Sequence, residues 1–197
     1  MYEAVTVEKS AADASRIVDL GAHFDNRGIT AADELAEGAF NVWSNTFAAE
    51  ELPEPGGLVE LGGVRFRFPA PRADGMDNLR CAGQLIEVPG GRYDWIYLIA
   101  AAERRSEDVV HLHYADGSVD PEWLRVSDFW PETAARFGEQ LAARGTRLHY
   151  PRHIQREMGP AIWRTRVPVP RQVSLAAIHL PDNPAIHVFA LSLMEAR

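Results

Sequence analysis

The last part of the chain constrains the fold most strongly. Residues 173–193 contain two short apolar segments on either side of a proline-rich sequence, LPDNP, at residues 180–184. In the first segment Val173, Leu175 and Ala177 alternate with their neighbours, which is the period of a strand, and the prolines forbid a helix through the middle. This pattern predicts that the chain ends in a strand, a tight turn and a second strand, paired as a β-hairpin.

Most of the preceding sequence has the same character. Residues 58–68 predict two strands joined by a Gly-Gly turn, and residues 93–100 and 109–114 are the two strongest strand segments. Asp116 and Gly117 then form a typical hairpin turn between apolar runs. Several short strands separated by Gly, Pro and Asp turns predict an all-β fold, an antiparallel β-sandwich of the jelly-roll kind.

One segment departs from the strand pattern. Residues 131–144 place Ala134, Phe137 and Leu141 at helical spacing, after a proline suited to a first helical turn. Gly145 is a favourable residue for a helix C-terminus. We therefore expect one α-helix, near residues 131–144, added to the sandwich.

Size and charge limit the domain count and the partners. The 197 residues are the length of one domain, so residues 1–197 are interpreted as a single β-sandwich with a flexible N-terminus at residues 1–15. The formal net charge of −8 argues against nucleic acid or an anionic membrane as a partner, because both require basic patches.

Targeting and cofactor motifs are absent from the sequence. The N-terminus lacks a basic region followed by an apolar run, and no apolar stretch approaches the roughly 18 residues of a membrane helix. We therefore expect a cytoplasmic protein. There is no dinucleotide fingerprint, phosphate-binding glycine loop or Gly-X-Ser-X-Gly elbow, so no cofactor is expected.

A set of segments, in order along the chain, carries a resemblance to a known group of domains. They are residues 18–29, 40–53, 63–69, 77–78, 83–86, 114–117, 127–128 and 180–191. In these segments the chain resembles the carbohydrate-binding-like β-sandwich domains appended to bacterial glycoside hydrolases such as α-fucosidases and α-galactosidases. The resemblance implies a sandwich fold and a sugar ligand, and it brings no catalytic signature.

The first candidate site lies on the two strongest strands. Because side chains alternate along a strand, Trp95 and Tyr97 are expected to point away from the core, as are His111 and His113. If the two strands pair as a hairpin, all four side chains share one face. Aromatic rings stack on sugars, and imidazoles hydrogen-bond hydroxyl groups or move protons near neutral pH. The alternative is that these residues lie beneath the helix at 131–144 or on a solvated sheet.

The spacing of His111 and His113 also fits two metal ligands on one strand face. A complete site needs further ligands, and Glu122 lies too far along the chain to supply one. No metal site is therefore predicted.

The second candidate site is a predicted loop, residues 148–156. Arg152 and Arg156 are suited to clamp a carboxylate or phosphate, with His153 as acid or base. The alternative is a solvated connection whose arginines only cover the surface.

The third candidate site is the segment 40–47. There Asn41, Trp43 and Asn45 alternate to one side, and amides beside an indole ring are typical of sugar recognition. Packing of Trp43 in the core is the alternative.

Three functions follow from these candidates. The first is a β-sandwich that binds a carbohydrate or another polyhydroxylated small molecule. The second is a stand-alone, cofactor-independent enzyme, such as a cyclase, isomerase, lyase or hydrolase, with His111 or His113 as base and Arg152 or Arg156 holding an anionic group. The third is a structural or dimerisation domain, with a homodimer as the partner arrangement, because exposed sheet edges often serve self-association.

Overall fold

A computed structural model describes residues 14–130 and 133–196, and in them the chain forms an all-β sandwich. The strands are β1 (Ser15–Val18), β2 (Ile29–Thr30), β3 (Thr46–Ala48), β4 (Leu58–Leu61), β5 (Val64–Arg67), β6 (Leu79–Arg80), β7 (Leu85–Gly91), β8 (Tyr93–Ala102), β9 (Ser106–Tyr114), β10 (Val119–Val126), β11 (Gln140–Arg144), β12 (Arg147–Tyr150), β13 (His153–Arg156), β14 (Ala161–Pro168), β15 (Leu175–His179) and β16 (Ile186–Glu195). Single 3₁₀ turns lie at Gly21–His23, Leu35–Glu37 and Ala49–Glu51.

The strands form three layers. The central sheet has the order β1-β16-β8-β14-β11, with β6 also paired to β16, and the outer sheet has the order β10-β9-β15-β7. On the other side of the central sheet lies the cap, made of the sheet β13-β12-β3-β2 and the hairpin β4-β5. The strand pairs are antiparallel except β2 with β3. The predicted antiparallel β-sandwich is thus confirmed.

The central sheet is buried on both faces, which explains the long apolar runs of β8 and β16. Ile96 and Leu98 of β8 pack in the core shared with the outer sheet, while Tyr97 and Ile99 pack in a second core beneath the cap. A strand covered on both sides gains from apolar residues at every position, so its sequence loses the alternation of a half-exposed strand.

The expected helix near residues 131–144 is wrong for the described residues. Residues 133–139 are irregular, and Gln140–Arg144 is strand β11, which pairs with β14. Gly138 has a φ of +78°, a left-handed conformation that interrupts a helix. The backbone groups of β11 find their partners along the edge of the central sheet, and this tertiary pairing overrides the helical spacing. Residues 131 and 132 lie outside the described residues.

The last two strands are correctly predicted, but their pairing as a hairpin is wrong. Leu175–His179 belongs to the outer sheet and Ile186–Glu195 to the central sheet. The connection at residues 180–185 crosses from one layer to the other, and the N–H of Leu180 donates to the carbonyl of Gln84 rather than across a hairpin (2.9 Å). Alternation predicts strands, but pairing depends on residues that are distant in the sequence.

The expected flexible N-terminus at residues 1–15 falls mainly on residues 1–13, which lie outside the described residues. Ser15 already belongs to β1 and pairs with Met194 of β16. Among the described residues, no helix has the length and apolar character needed to cross a membrane.

A buried polar cluster joins β6 to β16 beneath the cap. The Nδ1 atom of His187 lies 2.8 Å from Oδ1 of Asn78, and the carboxylate of Asp77 accepts the backbone N–H groups of Gly28 and Ile29 (2.9 and 3.0 Å). Burial lowers the pKa of His187 to about 3 and raises the pKa of Asp77 to about 6. His187 is therefore neutral at pH 7.

Candidate functional site: an arginine and aromatic cleft

A cleft of about 460 Å³ lies where the central sheet, the outer sheet and the loop before β11 meet. Pockets for small ligands usually have 300–1,000 Å³. The lining residues are Trp95, Tyr97, Glu122, Trp123, Arg125, Phe137, Gly138, Glu139, Gln140, Arg164, Thr165, Arg166 and Pro168. Aromatic rings and arginines dominate this surface.

The floor of the cleft consists of two aromatic–arginine stacks on neighbouring strands. Arg166 of β14 lies opposite Tyr97 of β8 in the register, so the two side chains share the cap-side face of the central sheet. The guanidinium carbon of Arg166 lies 4.2 Å from the ring centroid of Trp95, and that of Arg164 lies 4.9 Å from the ring centroid of Tyr97. These are cation–π distances, and the stacks hold the side chains in fixed positions.

A third stack forms the wall that comes from the outer sheet. Arg125 lies 5.6 Å from the ring centroid of Trp123, and its Nε donates to Glu107 (3.1 Å). The hydroxyl of Thr165 donates to the carbonyl of Arg125 at 2.8 Å, which fixes β10 against β14. Trp123 is 52% exposed, so its ring is available to a ligand.

The loop before β11 closes the third side and is held by one carboxylate. The two oxygens of Glu139 accept the backbone N–H groups of Ser127 (2.6 Å) and Phe137 (2.9 Å). Both oxygens are thereby engaged within the loop, so Glu139 serves to position the wall of the cleft.

Arg164 is the most buried of the three arginines. One of its terminal nitrogens donates to the carbonyl of Leu61 (3.1 Å), whereas its buried Nε has no hydrogen-bond partner among the described residues. Burial, reinforced by the positive charge of Arg166, lowers the pKa of Arg164. Gly62 in the β4–β5 turn beside Arg164 has a φ of +55°, a left-handed conformation that favours glycine.

Glu122 brings a carboxyl group with altered acidity to the cleft. Burial, together with the nearby carboxylate of Asp120, raises its pKa above the usual value. A raised pKa favours the role of a general acid for this carboxyl group.

The four residues of the first candidate site do not share a face. Strand phase is as predicted in β9: Val110 and Leu112 are buried, and His111 is exposed. In β8 the expectation that Tyr97 points away from the core is wrong, because the face of β8 opposite the shared core is covered by the cap and Tyr97 is only 8% exposed. The hairpin premise is wrong, because β8 lies in the central sheet and β9 in the outer sheet. The charged link at residues 103–105 passes between layers instead of closing a hairpin.

The histidines therefore lie on the opposite side of the sandwich from Trp95 and Tyr97. His111 and His113 stand on the solvent face of the outer sheet beside His179, with ring centroids 5.9 and 6.1 Å from it. Within the part of the chain that the structure describes, no group of three or more His, Cys, Asp or Glu side chains is placed to hold a metal ion.

The second candidate site is a β-hairpin rather than a loop. β12 pairs with β13, and His153 stacks on Tyr150 with ring centroids 4.8 Å apart. Arg152, His153 and Arg156 are exposed on the cap, and none of them lines the cleft.

The third candidate site is divided by a turn. The Oδ1 atom of Asn41 accepts the backbone N–H groups of Trp43 and Asn45 (3.0 and 3.1 Å), and β3 begins only at Thr46. The predicted alternation to one side is therefore wrong: Trp43 is 71% exposed at the loop tip and Asn45 is fully buried. Packing of Trp43 in the core, the alternative interpretation, is wrong as well.

Sequence reasoning found Trp95 and Tyr97 but missed the arginines beside them. Arg164 and Arg166 are two residues apart in the apolar segment 161–169, so a strand places them on one face. Two positively charged side chains on one face of an otherwise apolar strand are a signal that could have indicated a candidate binding residue pair. No local pattern indicated that Trp123 would reach the same place.

Comparison with known proteins identifies the domain family. A sequence model described as an AziU2-like beta-sandwich domain matches residues 14–197. The chain belongs to the AziU2-like β-sandwich domain family. No curated protein matches it at a significant level. For this AziU2-like domain the match supports the sandwich part of the resemblance to accessory domains of glycoside hydrolases, and it brings no assignment of a ligand.

Proposed function

We propose that this AziU2-like domain binds a sugar or another polyhydroxylated small molecule in the arginine and aromatic cleft. The observation that carries the proposal is the convergence of two accessible indole rings, Trp95 and Trp123, with arginine side chains on one cleft of small-molecule size. The surface of the indole rings that the arginines leave uncovered can pack against the apolar C–H groups of a sugar, and the stacked guanidinium groups can donate hydrogen bonds to its hydroxyl oxygens.

The test is a calorimetric titration with a broad panel of mono- and oligosaccharides, supported by tryptophan fluorescence. We expect Trp95→Ala to weaken the affinity for a bound sugar by about tenfold or more, as for a central aromatic contact. Trp43→Ala is the matched comparison, because it removes an exposed tryptophan that does not line the cleft. It should leave the affinity unchanged.

Trp95 is half-buried, so its removal also affects packing. Trp123→Ala is therefore the second variant, since that ring is 52% exposed and folding depends less on it. The proposal fails if no sugar of the panel binds the wild-type protein, or if both cleft variants bind as tightly as the wild type.

A cofactor-free enzyme in the same cleft is the second candidate, and Glu122 is the observation that favours it. A carboxyl group with a raised pKa in a cleft that also holds arginines is suited to general acid catalysis on a small anionic metabolite. The histidines that the sequence suggested as base, His111 and His113, lie on the other side of the sandwich from the floor of the cleft and would not reach a ligand bound there. Recovery of a chemically changed ligand, with loss of the change in Glu122→Gln, would establish this second function.

A further inference from the structure

Two arginines of the cleft form no ion pair with the described part of the protein. Among the described residues, the ion pairs include Arg125 with Glu107 but none that involves Arg164 or Arg166. The lining also carries the carboxylates of Glu122 and Glu139, and both oxygens of Glu139 accept backbone N–H groups instead of pairing with an arginine. Arg164 and Arg166 thus present guanidinium groups without an ion pair to this cleft, in a chain whose net charge is −8.

The orientation of these groups favours an acceptor in the cleft. A guanidinium stacked on a ring uses its flat face, so its N–H donors point outward in the plane. One terminal nitrogen of Arg164 donates to the carbonyl groups of Leu61 and Gly62. The Nε atom of Arg164 is buried and has no hydrogen-bond partner within residues 14–130 and 133–196. Because the Nε atom is enclosed by the protein, an acceptor in the cleft is expected to meet a terminal nitrogen of Arg164 and the donors of the exposed Arg166.

We propose that the cleft selects ligands that carry a carboxylate, and that Arg164 and Arg166 hold this group while the aromatic rings contact the rest of the molecule. This inference rests on the proposed sugar-binding function and narrows its ligands to acidic sugars. Hydrogen bonds between guanidinium and carboxylate groups are stronger than those between neutral groups, so the acid group dominates the preference.

The experiment uses pairs of sugars that differ only in the oxidation of C6: glucose with glucuronate, and galactose with galacturonate. Inorganic phosphate and acetate are titrated alone as anion probes. We expect the wild-type protein to bind one uronate about tenfold or more tightly than its neutral partner, the factor that one charged hydrogen bond supplies. The preference should weaken as salt is added.

Three arginine variants locate the effect. Arg166 is exposed, so Arg166→Gln should leave the thermal unfolding temperature nearly unchanged while removing most of the preference for the uronate. Arg166→Lys keeps the charge but loses the planar fork, and it should retain part of the preference. Arg156→Gln, an exposed arginine of the cap hairpin, should not alter it.

The outcomes separate the two proposals. Equal affinity for the acidic and neutral sugars, or an unchanged preference in Arg166→Gln, overturns the selection of a carboxylate and leaves sugar binding in place. Binding of acetate or phosphate that depends on Arg166, without binding of any sugar, retains the anion site and overturns the sugar-binding function. No binding of any probe overturns both.

Discussion

The central sheet and the outer sheet each have a second face, directed away from the core that they share, and these two faces differ in what covers them. The cap packs on the central sheet and leaves an indented border where the arginine and aromatic cleft forms. The outer sheet presents Leu85, Val119 and His111 to solvent. The covered face thus borders a concave surface of aromatic rings and arginines, whereas the outer face is open, which shows that the covering layer creates the candidate site.

The largest expected effect concerns the covered face. Phe66 of the cap is fully buried, so Phe66→Ala should lower the free energy of unfolding by about 3–5 kcal/mol. Leu85, on the solvent face of the outer sheet, is 51% exposed. Leu85→Ala should therefore change the free energy of unfolding by less than about 1 kcal/mol. Chemical denaturation measures both. Similar losses in the two variants would mean that the outer sheet is also covered.

The second effect concerns a histidine beneath the cap. Because burial lowers the pKa of His187 from 6.5 to about 3, its contribution to stability is present above pH 6.5 and is lost as the pH falls through this window. Between pH 7 and pH 4.5 this loss amounts to about 2–3 kcal/mol. Asp77, whose pKa is raised to about 6, acts in the opposite direction, since its contribution declines as the pH rises through 6.

A variant separates these two contributions. The free energy of unfolding of His187→Gln should fall about 2–3 kcal/mol less than that of the wild type between pH 7 and pH 4.5. An NMR titration of the wild type is independent of how well the variant folds, and it should show that the imidazole of His187 remains neutral down to pH 4.5. Titration of His187 near pH 6.5 would refute the buried placement.

The smallest effect concerns the histidines of the outer sheet. His111 is exposed and lies on the opposite side of the sandwich from the cleft floor, so His111→Ala should change the free energy of unfolding by less than about 0.5 kcal/mol. It should also leave the affinity for any ligand of the cleft unchanged. A large loss of binding in His111→Ala would move the ligand site to the outer sheet.

The parts of the fold that sequence reasoning predicts are the local ones. The continuous apolar run identifies β8, and the period of two identifies β9 and the direction of His111, because successive side chains of a strand point to opposite faces. The pairing of β8 with β14 and β16 depends on contacts between distant segments, which alternation does not encode.

Contacts between distant segments also explain why the sequence predicts a helix that does not form and does not predict the cleft. The helical spacing within the predicted helix at residues 131–144 does not produce a helix in the described residues, because Gln140–Arg144 pairs with β14 at the edge of the central sheet. The local sequence pattern contains no information about this partner strand. The cleft unites Trp95, Trp123 and Arg166 from three strands of two sheets, so only the tertiary structure brings them together.

The most direct test of the central claim is to follow the indole N–H signals of the five tryptophans by NMR during titration with the uronate that binds best. We predict that the signals of Trp95 and Trp123 shift in a saturable manner, while that of Trp43 stays in place. A saturable shift of Trp43 with unchanged signals from Trp95 and Trp123 would contradict the assignment of the cleft as the ligand site.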